Sequence, residues 1–280
     1  MKDLTPLLSI HRIISLARII FLDGLRRHAL AGLILLTLAA EASGMLFMDF
    51  FGHDVGRASS DFLFSVMWMA GLLFLLFHAV QVIAWDEEHG AIYALLSRPI
   101  SRSEYVLGVF TGLLTLLICL NVLLGVAAYG TLMWIKHGLE AVYFPAFSTP
   151  HFLLAWAGMV MMQGVMLAAI MLFSGMVRGG FPVLLLTAAY YGICSGLPVV
   201  RTSVMQQLAH GQDVAALSRL LQTFAAVFPD FGRLDFKDAI ISVTQITGIN
   251  AIFIHFIVAI LYIALAVIFA CRLYGRRDLQ

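Results

Sequence analysis

Six uninterrupted apolar stretches dominate this chain, at residues about 29–47, 62–84, 105–134, 152–177, 183–200 and 249–273. A bilayer's hydrocarbon core takes roughly 20 residues of helix to cross. Inside it every backbone donor and acceptor must be satisfied within the segment. The stretches are long and continuous, unlike the ~10-residue alternations of a transmembrane barrel. They therefore predict six transmembrane helices. Composition agrees: 61% of the 280 residues are hydrophobic and 12% are charged, against about 25% charged in soluble domains. Mean hydropathy is +0.96. This excludes a soluble enzyme. A net charge of +1 with no basic block excludes a nucleic-acid binder. Cys119, Cys194 and Cys271 all lie inside apolar runs, which is no disulfide framework. The expected fold class is an all-α integral membrane protein, a single membrane domain over 1–280.

An even number of spans places both termini on one side. The positive-inside rule selects it: with the termini inside, eleven Lys and Arg fall on inner segments and six on outer ones. The small residues ending Leu33–Gly44 resemble a signal cleavage site. About 28 residues precede that region, too many for a usual basic leader, so the first span is expected to be retained. Upstream, over 8–27, Arg12, Ser15, Arg18, Asp23 and Arg26 recur near helical spacing, while Ile10, Ile13, Ile14, Ala17, Ile20 and Phe21 fill the other surface. That pattern predicts an amphipathic helix in the inner interface.

The most informative segment joins spans two and three. Asp86, Glu87 and Glu88 mark where span two leaves the membrane. A short helix follows with Ile92, Leu95 and Leu96 on one face. Pro99 ends it, because proline lacks the backbone donor and biases its predecessor away from helix. Ser101 and Glu104 then have the spacing of a capping box that starts span three. Helix, break, short helix, break, helix is a unit able to move as a small lever.

This segment resembles the loop between spans two and three of ABC-2-type transporter permeases. In that family an acidic pair precedes a glycine, a leucine-rich short helix, then Pro-(Val/Ile)-Ser-Arg. Glu87, Glu88, Gly90, Leu95, Leu96, Pro99, Ile100, Ser101 and Arg102 match the pattern, and Gly108 matches a later glycine. Ala91 and Val109 stand where threonine and lysine are common. Val227-Phe228-Pro229-Asp230-Phe231 is similar to a segment before the last span in a branch associated with copper-enzyme maturation. The resemblance implies the membrane subunit of an ATP-driven exporter in a bacterial inner membrane, non-catalytic and with both termini cytoplasmic. Its implied partners are a second permease subunit, identical or not, and two separate ATPase subunits that carry ATP and Mg. This chain itself would bind no cofactor, and its sequence lacks the G-x-x-x-x-G-K-[ST] phosphate loop. Residues 87–98 would be the coupling helix, with Glu87, Glu88, Gly90, Ile92, Leu95, Leu96, Arg98, Pro99 and Arg102 meeting the ATPase. Spans one and five would line the dimer interface and cargo route, with Glu41, Gly192, Gly196 and Pro198 as candidates. Residues 201–248 would form an outer helical segment. The rival readings are an ATPase-independent channel or secondary transporter, an intramembrane enzyme, and a membrane scaffold for a respiratory or assembly complex.

Polar groups at membrane depth are few. Glu41 must be protonated, partnered or close to outer water. Its alternatives are a cargo or proton contact and a charge that reaches the interface. His78, His255, Asn121 and Gln163 are expected to hydrogen-bond to neighbouring helices. The methionines of span four (159, 161, 162, 166, 171 and 176) point all round the helix, as packing fillers do. No metal and no catalytic site is expected.

Overall fold

The computed structural model describes residues 5–26, 28–45, 54–88, 101–138, 147–209, 223–224, 227–240 and 249–276. Among these the chain is helical throughout, with no strand. The helices are α1 (Thr5–Arg26), α2 (His28–Met45), α3 (Val55–Leu73), α4 (Val80–Glu88), α5 (Arg102–Gly138), α6 (Thr149–Met176), α7 (Gly180–Ala209) and α8 (Ile249–Arg276). A π-helical turn, Phe74–Ala79, joins α3 to α4, making one continuous rod. Two 3₁₀ turns, Phe231–Arg233 and Lys237–Ile240, precede α8.

Five of these rods are long and apolar enough to cross a bilayer: Val55–Ala84, Arg102–His137, Thr149–Met176, Gly180–Gln207 and Asn250–Arg276. The expected first span corresponds to α2, whose apolar stretch Leu30–Gly44 is shorter. The chain thus has the character of a membrane protein. α5 is the longest helix, 37 residues or about 55 Å at 1.5 Å per residue, against a hydrocarbon core of about 30 Å.

Packing gives the bundle two ends. The first, here called proximal, gathers the start of α5, the ends of α4, α6 and α8 and the start of α7. The distal end gathers their opposite termini and the segment 229–240. α6 is the central helix: Met166, Leu167, Ile170 and Met171 are fully enclosed, and α8 runs along it. Of its six methionines, Met159, Met162, Met166 and Met171 are buried, Met161 is half-buried and Met176 is 61% exposed. The turn from α6 to α7 needs the left-handed conformation at Gly179 (φ 90°), which glycine adopts without steric penalty.

A helix, α1, covers the stretch expected to lie in the inner interface, and it packs lengthwise on α5. Arg12 meets Glu104, Leu16 meets Gly108, Ile20 meets Gly112 and Gly24 meets Leu116. The pairs advance four residues at a time on both helices, so the two run parallel and in register. Gly108-x-x-x-Gly112 makes this possible: a Cβ on Gly108 would meet Leu16 Cδ2 at 2.6 Å, and one on Gly112 would meet Ala17 O at 3.0 Å. Small residues four apart let helices approach in this way.

α7 also departs from expectation. It continues nine residues beyond the expected end at 200, through Gly192, Gly196 and Pro198, as one 30-residue helix. A single proline removes one backbone bond, and the helix resumes around it, with Thr202 and Ser203 donating to the carbonyls of Pro198 and Val199 at 2.9 and 3.1 Å.

Candidate functional site

Three regions concentrate polar chemistry. The first is the proximal corner that follows the lever segment. The capping box is formed: Ser101 N donates to Glu104 Oε2 at 2.7 Å, and Glu104 N donates to Ser101 Oγ at 3.2 Å. Glu104 Oε1 also faces Arg12 of α1 at 3.8 Å. Arg102 reaches the end of α8, donating from one nitrogen to Tyr274 O at 3.2 Å and Gly275 O at 3.1 Å. Helix C-termini carry unsatisfied carbonyls and partial negative charge, and a guanidinium answers both. The Tyr274 hydroxyl donates to Ser174 Oγ of α6 at 3.0 Å, and its ring lies 6.4 Å from that of Tyr105. The first turn of α5 is thereby tied to α1, α8 and α6. Sequence reasoning gave Arg102 to an external partner; here its guanidinium is engaged within the chain. Glu87 and Glu88 close α4 as helical backbone; their side chains, and Gly90, Ile92, Leu95, Leu96, Arg98 and Pro99, lie outside the described residues.

The second region is a polar node in the core. Asn121 of α5 donates from Nδ2 to Gln163 Oε1 of α6 at 2.7 Å and to Leu117 O at 2.8 Å. Both side chains are fully buried. Gln163 lies directly against the α3 backbone at Gly71, where no Cβ could fit. Trp156 Nε1 donates to Asn121 O at 3.0 Å. The expected interhelical bond is therefore present, and it locks α3, α5 and α6 at mid-depth. His78 is buried in the π turn, its ring 5.1 Å from and tilted against that of Phe74, and close to Gly24 of α1. π turns recur at functional positions, and nothing in the apolar run 62–84 marks this one.

The third region is the distal end. The segment 229–240 is fastened down by glycines. Gly158 of α6 lets the Leu234 carbonyl approach the helix backbone, and a Cβ on Gly232 would meet Pro198 Cγ at 2.7 Å. Asp230 completes the fastening: its Oδ2 pairs with Arg201 of α7 and with Arg233 at 3.4 Å, and its Oδ1 accepts from Gly232 N at 3.1 Å. Beneath this roof lies a half-open cleft of about 420 Å³ between α3, α6 and α7. Trp68, Met159, Met162, Tyr191, Ser195 and Phe231 contribute to its walls. Trp68 Nε1 donates to the Tyr191 hydroxyl at 3.1 Å.

The four residues assigned to a cargo route or dimer interface separate. Gly192 and Gly196 have open space where a Cβ would stand. Pro198 faces the distal roof. Glu41 points inward on α2, 3% exposed, and its Oε1 has no hydrogen-bond partner among the described residues. It thus faces the described bundle rather than the open face of α2. Sequence reasoning missed the cleft, because its walls come from three helices and a roof far apart in the chain.

In comparisons with known proteins, no family model and no curated protein matches this chain.

Proposed function

We propose that this chain is the membrane-spanning permease subunit of an ATP-binding-cassette exporter, driven by separate ATPase subunits and paired with a second permease subunit. The observation that carries the reading is the sequence of the unit 86–105, with its acidic run, its apolar residues Ile92, Leu95 and Leu96, its Pro99 and its capping-box pair Ser101 and Glu104. The proximal corner is consistent with it, because a lever needs a root. Force on 87–98 would enter the first turn of α5, which is bonded to α1 and α8 and through Tyr274 to α6.

In this reading α2 is the first of six spans, its shortness offset by α1 strapped to α5 just before it. α1 then rises from the cytoplasmic interface beside α5, with Ile10, Ile14, Ile19, Leu22 and Leu25 exposed to lipid. Both termini are cytoplasmic and the bilayer is the bacterial inner membrane. A second subunit would meet α7, whose open face carries Leu185, Ala189, Gly192, Gly196 and Val199, and α2, whose open face carries Gly32, Leu35, Ala39 and Ala42. Small residues at these spacings suit close helix contact in lipid. The chain contributes no bond-making chemistry; ATP and Mg belong to the partner.

The test is to tag the chain, extract it gently from its native membrane and identify what accompanies it. An ATPase subunit that is retained by the parent chain and lost in Glu87→Lys/Glu88→Lys is the expected result. Absence of any ATPase after mild cross-linking overturns the reading in favour of an autonomous channel or a scaffold.

A further inference from the structure

The distal cleft has features that the packing of the bundle does not require. Several helical hydroxyls in this chain turn back on their own helix: Ser59, Ser60, Ser65 and Thr187 each donate to a carbonyl one turn earlier, at 2.6–2.9 Å. Ser195 does not. It lines the cleft and makes no hydrogen bond among the described residues. One turn before it, the Tyr191 hydroxyl accepts from Trp68 and donates to no described residue. Two unused O–H donors on one face of α7 thus border the same cavity, and leaving such donors without an acceptor costs free energy.

The remaining surface is apolar and uncharged in sum. Phe64, Met69, Met159 and Met162 supply aromatic and thioether walls, and thioethers adapt to varied shapes. Among the described residues, the charges at the cleft are Asp235 and Lys237. They pair with each other at 3.3 Å, and Asp235 accepts the Lys237 backbone N–H as well. An ionic ligand would lose its hydration there without gaining a counter-charge. The volume, about 420 Å³, lies in the range of small-molecule sites, about 300–1,000 Å³.

We propose that this cleft binds an uncharged amphiphile, a molecule with an apolar body and a carbonyl, ether or hydroxyl oxygen that accepts from Tyr191 and Ser195. The site stands on its own geometry and does not rest on the transporter reading. Binding is read on the chain alone, so its failure leaves the ATPase question untouched, and the reverse holds too.

The test uses the full chain in nanodiscs with a short-chain monoacylglycerol carrying a diazirine in its acyl tail, beside a lysophosphatidate with the same tail. Adducts are mapped by mass spectrometry. The monoacylglycerol should label Met159, Met162 and the Phe64–Met69 stretch at least fivefold more than the lysophosphatidate does. Unlabelled monooctanoylglycerol should compete this labelling away while leaving adducts at the exposed Val122 and Val126 unchanged. Tyr191→Phe/Ser195→Ala should reduce cleft labelling about fivefold, the equivalent of one hydrogen bond of about 1 kcal/mol. Equal labelling by both probes, cleft adducts that resist competition, or adducts at Val122 and Val126 with none in the cleft would each overturn the proposal. The competition and the probe comparison need only the parent chain, so a poorly folded variant does not rescue it.

Discussion

Replacing Asn121 by leucine should destabilise the chain more than replacing Gln163 by methionine, and the double variant should recover most of the loss. The argument is an accounting of four buried polar atoms. Asn121 Nδ2 serves both Gln163 Oε1 and Leu117 O, while Asn121 Oδ1 and Gln163 Nε2 have no partner among the described residues. Asn121→Leu removes the shared donor and strands both polar ends of Gln163 beside the α3 backbone at Gly71. Gln163→Met leaves Asn121 with its bond to Leu117 O. Interhelical hydrogen bonds in membranes average about 0.6 kcal/mol and reach about 1.7, and stranding a buried group costs about 1–3 kcal/mol. The expected losses are about 1.5 kcal/mol for Asn121→Leu, about 0.7 for Gln163→Met, and under about 0.5 for the pair together. Unfolding in mixed micelles with increasing dodecyl sulfate reads these values. Trp156, bonded to Asn121 O at 3.0 Å, is a fluorophore beside the node. Additive losses in the double variant would refute the reasoning, since they would show that the two amides do not depend on each other.

Gly112→Val should prise α1 from α5, because Ala17 O and Ile20 stand within 3.0 Å of the new Cβ. Overpacking of this kind costs about 1–3 kcal/mol, and faster proteolysis within α1 by added protease would register it. Asp230→Asn should loosen the distal roof, since a carboxylate only 8% exposed that serves two arginines becomes neutral; hydrogen exchange over 229–240 should accelerate while the core of α6 holds. Arg102→Met should uncap α8, exposing the carbonyls of Tyr274 and Gly275, at a cost of about 1 kcal/mol; exchange should rise over 271–276 and leave Ala259 and its neighbours unchanged.

Some of this architecture was legible in the sequence because it is local. The apolar runs fall within helices, the Ser101–Glu104 spacing forms its capping box, and the polar pattern over 8–27 is a helix. That Asn121 and Gln163 would each bond to a neighbouring helix was legible from cost alone, since neither could stay unbonded in an apolar bundle; that they bond to each other was not. What was not legible depends on which surfaces meet. A helical wheel shows that α1 has an apolar face; it does not show that Gly108 and Gly112 on another helix turn that face lengthwise. The side on which Glu41 sits depends on how α2 leans on α3, so an open-face assignment was as consistent with the run as the buried one observed. Span five was expected to end at about 200, whereas the helix continues to Ala209, with the distal segment packed against Pro198 through Gly232. The cleft needed three helices and a roof, none of which is abnormal alone.

The distribution of ties bears on how such a chain could work. α3, α5 and α6 are joined at mid-depth by the Asn121–Gln163 node and the close approach at Gly71. α1 is in register with α5, and α8 is held to both α5 and α6 at the proximal corner. These helices form one body, and a push on the first turn of α5 has no internal joint there to absorb it. α7 is tied at its two ends, by Gly180 against Ala84 proximally and by Pro198 and Arg201 against the distal segment, and across its middle by the Trp68–Tyr191 hydrogen bond and the contact of Tyr190 with Phe173. Its middle, around Gly192, has open space on one side and the cleft on the other. In the proposed permease, a force entering beside Ser101 would change the angle between the body and α7. The wall of the cleft that would respond is the one carrying Tyr191 and Ser195. Cross-linking cysteines placed at Met162 and Ser195 should then suppress any transport the assembled complex performs, whereas cysteines at Asn121 and Gln163, within the body, should leave it unchanged. Equal suppression by both pairs would show that the body itself must deform.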